Sequence, residues 1–241
     1  MLEAAWWGFV GGAALLIGAA IGIWLPVSKR VIGLTMGFGA GVLFSAVAFE
    51  LTGEAYDLAG ADAVVIGLTA GALTFFAGDW LIDNHGGHRR KSPNGPAAGA
   101  SSGALVLGAL LDGIPESAAI GISLVGGGSV GLAVLLAVFL SNIPESMSAS
   151  AGLIASGRRP AQVFGLWVAV TAASTVAAAV GYAALGDASP LVVAGTQAFA
   201  AGAILTMLAD TMLPEAVEHA GRLVGLVTVL GFGCAFLLSV A

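Results

Sequence analysis

Residues 4–27 carry no charged side chain, and a helix needs about 20 mostly apolar residues to cross a bilayer. Nothing else constrains the fold so strongly, because comparable stretches recur along the chain. Eight candidate spans can be drawn, at roughly 4–27, 31–55, 62–83, 103–125, 130–156, 161–185, 190–213 and 223–241. Only 8 Lys or Arg and 14 Asp or Glu occur in 241 residues, too few to solvate the surface of a soluble enzyme. A nucleic-acid partner is excluded as well, for want of a basic stripe. The single cysteine, Cys234, permits neither an internal disulfide nor a cysteine metal cluster, and reads as packing. The expected fold class is all-α: one polytopic transmembrane domain over residues 1–241, with the lipid bilayer as its partner.

The connections are short except for residues 84–102, which are polar and rich in Gly, Pro and Ser and read as a flexible loop. Lys29 and Arg30 follow the first span, Arg89, Arg90 and Lys91 the third, Arg158 and Arg159 the fifth, and Arg222 the seventh. Every basic residue thus falls in alternate connections. The positive-inside rule makes that side cytoplasmic, with both termini outside and the 84–102 loop inside. The first span lacks a positive segment ahead of it and reads as a retained helix, not a signal peptide. The expected location is the cell membrane, as a multi-pass protein of a bacterial inner membrane.

Two internal repeats stand out. Asp112-Gly113-Ile114-Pro115-Glu116-Ser117 in span four parallels Ser141-Asn142-Ile143-Pro144-Glu145-Ser146 in span five. Gly41 through Glu54-Ala55 parallels Gly202 through Glu215-Ala216. The topology makes both pairs run in opposite directions, and inverted repeats are a signature of secondary transporters.

The first repeat carries the chemistry. Asp112, Glu116, Asn142 and Glu145 fall near the middle of their spans, where an ionised carboxylate costs about 3 kcal/mol or more. Asp112 and Glu116 are four apart and share a helix face, as do Asn142 and Glu145, three apart. No Lys, Arg or His falls at this depth within any span. The acids therefore either hold protons or pair with a bound cation. The cation is the preferred expectation, with protonation as the alternate state of an empty site. Pro115 and Pro144 lack an N–H, so the carbonyls of Leu111 and Leu140 lose their helical partners. Carbonyl, carboxylate and amide oxygens together make a divalent-cation environment.

This layout resembles the ZIP family of divalent metal transporters. The paired Pro-Glu motifs, Pro115-Glu116 and Pro144-Glu145, carry the resemblance, with the polar loop after span three. The family's fourth helix usually reads H-N-x-P-E-G. Here Asp112 stands for the His, Gly113 for the Asn, and Ser117 and Ser146 for the final glycines. The resemblance implies a 3+2+3 arrangement of helices built on inverted repeats, and a homodimer. It also implies metal-binding roles for Asp112, Glu116, Asn142 and Glu145, with Ser141 as a weak fifth ligand. Some relatives hold a second metal with a Glu in span six. That position counts to about Ser174, and span six has no acidic residue, which argues against a two-metal centre. An all-oxygen donor set shifts preference from zinc toward harder cations such as manganese, ferrous iron or magnesium.

Other polar residues are weighed against simpler roles. Glu50 and Glu54 near the outer end of span two, and Asp210 and Glu215 near the inner end of span seven, fit the entrance and exit of an ion pathway or ordinary helix ends about equally well. Glu215 and His219, four apart, read first as a solvated helix turn and second as a release-side metal pair. His85 and His88 form at most a weak loop site. Trp6, Trp7, Trp24, Trp80 and Trp167 sit near span ends, as interface anchors do. The expected function is a transporter, not an enzyme, moving zinc, manganese or ferrous iron into the cytoplasm as its substrate, with no cofactor. The alternative is a proton-coupled carrier of another substrate, using the same acids as a relay. An intramembrane hydrolase is disfavoured by the lack of a Ser–His pair or a suitable Asp pair.

Overall fold

In an apolar solvent every backbone polar group must be satisfied within the chain, which favours helices. The computed structural model describes residues 1–87, 91–94, 102–125 and 131–240, and among these it is all-helical, with no strand. The helices are α1 (Leu2–Trp24), α2 (Lys29–Ser45), α3 (Thr52–Ile82), α4 (Ser102–Ile122), α5 (Leu132–Ala155), α6 (Pro160–Leu185), α7 (Pro190–Met207), α8 (Leu213–Ala220) and α9 (Leu223–Ser239). Their starts follow local rules. Ser28 Oγ accepts from Val31 N at 3.3 Å to cap α2. Pro160 and Pro190 open α6 and α7, where a missing N–H costs nothing.

Among the described residues, five helical runs are long and apolar enough to cross a membrane: Leu2–Trp24, Lys29–His85, Leu132–Ala155, Pro160–Leu185 and Pro190–Ala220. Large apolar side chains such as Ile66 and Leu73 on α3, and Leu226 and Val229 on α9, face outward. Such an exterior suits a membrane protein. The run Lys29–His85 is 57 residues long, well beyond one crossing. It contains a kink at Gly60, whose φ of 75° and ψ of −175° are not helical.

The two halves of the chain share local irregularities. A π-helical turn, Ala46–Leu51, continues α2, and another, Leu208–Met212, continues α7. The offset that carries Gly41 to Gly202 and Glu54 to Glu215 also carries Gly60 to Gly221. Gly221 likewise has positive φ, at 64°, and separates α8 from α9. Packing follows the same pattern. The main partners are α2 with α9, α3 with α7, α1 with α5 and α6, and α4 with α6. Backbones touch reciprocally: Gly41 lies against the Thr228 carbonyl and Gly231 against that of Phe38, while Gly71 and Gly202 meet the carbonyls of Phe199 and Leu68. Small residues permit this approach where no water drives helices together.

The largest apolar core includes Met36, Leu43, Ile204, Met207, Leu208 and Met212. It takes in Leu135, Val138 and Met147 of α5, while Asn142 of the same helix bonds to α1 and Ser148 to the segment 91–94.

Candidate cation site

Asp112 lies near the middle of α4 and Glu145 near the middle of α5, each within a turn of a proline inside its helix. All five residues expected at the site, Asp112, Glu116, Ser141, Asn142 and Glu145, are buried. The structure joins Asp112 and Glu145 through a cation that the sequence did not place there. Lys91 Nζ is 3.3 Å from Asp112 Oδ2 and 3.3 Å from Glu145 Oε1. The expectation that these acids have no protein counter-charge is therefore wrong. It failed because Lys91 follows Arg89 and Arg90 in a polar loop and was counted with the solvated charges. Instead Lys91 is 3 % exposed and Ser92 0 %, so this part of the 84–102 stretch is packed inside the protein. His88, also noted in that stretch, lies outside the described residues.

The segment is held at several points. Ser148 Oγ donates to the Lys91 carbonyl, one turn beyond Glu145 on α5. Lys29 Nζ donates to Asn94 Oδ1. Ser92 Oγ is 3.5 Å from His219 Nε2. His219 Nε2 lies another 3.5 Å from Glu215 Oε2, and Glu218 joins these two in a cluster at the end of α8.

Glu116 has a different environment. It is 1 % exposed, and neither carboxylate oxygen has a hydrogen-bond partner among the described residues. Glu145, Lys91 and Asp112 are the charges that act on it. Among the described residues the Lys91 ammonium thus acts on all three acids. Burying a charge without full pairing is costly, and Glu116 is the acid that lacks a hydrogen-bond partner among them.

The remaining expected ligands have structural partners. Asn142 Nδ2 donates to the Gly11 carbonyl of α1 at 3.2 Å, which fixes the amide. The Ser141 hydroxyl donates to Val138 O at 3.0 Å within its own helix. Ser174 lies on α6 opposite Gly113 of α4; a Cβ on Gly113 would sit 3.4 Å from its hydroxyl oxygen. The position on α6 that faces Gly113 is thus a neutral hydroxyl, not an acid.

A cavity adjoins the cluster, lined by Lys91, Asp112, Glu145, Leu153, Leu166 and Trp167 among others, with room for about one water-sized guest. Trp167 is no interface anchor, contrary to expectation. It is 2 % exposed, and its Nε1 donates to Ser150 Oγ at 2.7 Å. Trp6, Trp24 and Trp80 are exposed as expected. Sequence reading missed Lys91 and Trp167. The only available hint was Trp167's place seven residues into its span, deeper than a belt position requires. At another end of the bundle, Gln197 Nε2 donates to Glu54 Oε2 at 3.0 Å.

No protein-family model matches the chain, and comparison with curated proteins finds no match either.

Proposed function

We propose that this chain is a membrane transporter that moves a divalent metal cation into the cytoplasm through the Asp112–Glu116–Glu145 cluster. Zinc, manganese and ferrous iron are the candidate cargoes. The observation that carries this reading is Glu116: a fully buried carboxylate whose oxygens have no hydrogen-bond partner among the described residues, beside two further acids that both contact Lys91. A dication would supply the positive charge that such a carboxylate calls for. Asn142 and the carbonyls freed by Pro115 and Pro144 would add neutral oxygens to the shell.

The architecture in this reading is ZIP-like, with eight spans in a 3+2+3 arrangement of inverted repeats. Its support is the paired π-turns, the matched positive φ of Gly60 and Gly221, and helix contacts that exchange under the same pairing. In it Gly60 divides the long second run into two spans. α4 and α5 form the central pair, and α9 is the eighth span. The distribution of Lys and Arg puts the loop side in the cytoplasm.

A second reading, a proton-coupled carrier, draws support from the Lys91 ion pair, since a buried lysine among acids can take part in a relay. Uptake into proteoliposomes separates the two. Saturable flux of Mn²⁺, Zn²⁺ or Fe²⁺ that vanishes in Glu116→Ala supports metal transport. A pH-driven flux with no dependence on divalent metal selects the second reading. Wild-type metal uptake by Glu116→Ala overturns the site assignment.

A further inference from the structure

A cation already sits between Asp112 and Glu145, and it belongs to the protein. Lys91 Nζ is equidistant from the two carboxylates at 3.3 Å. A divalent ion bound by the same oxygens would need each at about 2.0–2.6 Å. The adjoining cavity has room for about one small guest, so the ammonium and a metal ion cannot share the space between those two oxygens.

We propose that Lys91 is a tethered competitor for the cargo: its ammonium holds the Asp112–Glu145 seat until a divalent cation displaces it, and returns when the ion leaves. This rests on the reading of that seat as the cargo site.

The attachments of the segment suit reversible seating. Among the described residues, and beyond the two ion pairs, its contacts include the Ser148 hydroxyl on the Lys91 carbonyl, Lys29 on Asn94, and the weak contact of Ser92 with His219. These are single hydrogen bonds, each worth little net energy. Lysine is also the apt residue. Its charge is compact and rides on a flexible four-carbon stem, whereas a guanidinium would lock two carboxylates in a planar fork. The exchange is favourable in charge. A dication brings the acids more positive charge than the lysine removes. A seat that is never empty also spares the protein from burying bare carboxylates between transport events.

The chain has only two lysines, Lys29 and Lys91, which makes the test direct. Detergent-purified full-length protein is treated with formaldehyde and a borohydride reductant, and methylation of each amine is followed by mass spectrometry. Without metal, exposed Lys29 is expected to react at least about tenfold faster than Lys91. Adding Mn²⁺ or Zn²⁺ should accelerate Lys91 selectively. In parallel, calorimetric titration with each metal should show at least about tenfold tighter binding by Lys91→Gln than by wild type, the scale on which one close charge acts. Lys91→Arg should bind no tighter than wild type.

Equal reactivity of the two lysines in metal-free protein overturns the proposal. So does metal binding of equal affinity in wild type and Lys91→Gln, which would leave the cargo-site reading intact. If neither metal binds wild type or Lys91→Gln while Lys91 stays protected, the cargo-site reading itself fails and the lysine is a fixed ion-pair partner. The methylation measurement uses wild-type protein, so it decides the seating of Lys91 even if Lys91→Gln does not fold.

Discussion

Gly18 of α1 lies against the Ile143 carbonyl of α5, so close that a Cβ at position 18 would sit 2.1 Å from that oxygen. The contact falls immediately before Pro144 and Glu145. The backbone carrying one of the acids is therefore braced by direct contact with another helix, through a residue with no side chain.

The first prediction follows from that contact. Gly18→Val would force α1 and α5 apart, a form of overpacking that costs about 1–3 kcal/mol. The expected result is a lower melting temperature by fluorescence-detected size exclusion and a large loss of uptake. Gly165→Ala, on α6 with nothing within reach of the added methyl, should change neither. Unaltered stability in Gly18→Val would show that this contact is not made.

Glu116 gives a prediction in which stability and function part. Glu116→Gln removes a buried charge that has no hydrogen-bond partner among the described residues, so the protein should be at least as thermostable as wild type. Metal uptake should nevertheless fall to background. A mutant that loses stability and keeps uptake would reverse both halves of the assignment.

Asp112 bears on metal choice. The cluster offers oxygen donors only, and a histidine there would add a nitrogen ligand that suits zinc. In uptake competition, Asp112→His should shift the ratio of Zn²⁺ over Mn²⁺ transport upward by about tenfold, the effect of roughly 1.4 kcal/mol. A ratio unchanged from wild type would mean that Asp112 does not touch the cargo.

Trp167 and Ser150 form a buried pair at the cavity wall. Trp167→Phe keeps most of the packing but strands the Ser150 hydroxyl, at a cost of about 1–3 kcal/mol. Adding Ser150→Ala to that mutant should recover part of the loss. A double-mutant cycle in thermal unfolding measures the coupling, and strict additivity would argue against the hydrogen bond.

Gly60 and Gly221 should behave alike. Both hold positive φ with ψ near extended values, a region that side chains enter at a cost of about 1–3 kcal/mol. Alanine at either position should lower the melting temperature by a similar amount. A cost at one and none at the other would weaken the equivalence of the two halves.

The helical nature of the chain was legible from the length of its apolar runs, because a bilayer leaves the backbone few alternatives. The acids were legible too, since Asp112, Glu116 and Glu145 are conspicuous in segments otherwise almost free of charge. Lys91 was not. Periodicity locates a residue on a helix, but a side chain delivered from a long connection is positioned by tertiary contacts such as Ser148 to Lys91 O, which leave no periodic trace. Trp167 misled for a related reason. Aromatic residues near span ends commonly anchor to interfaces, and only the neighbouring Ser150 hydroxyl turns this one inward. The break at Gly60 was visible only as a gap between two apolar runs. Its backbone geometry depends on a conformation that composition does not reveal.

That the lysine arrives from a connection, not from a span, separates two kinds of evolutionary change. The membrane-embedded scaffold is locked by backbone contacts that tolerate few replacements. A single codon in the loop, by contrast, can alter how tightly the acids are neutralised while every helix stays where it is. Divergence in ion preference among descendants of this chain is then open to change at one position outside the helices.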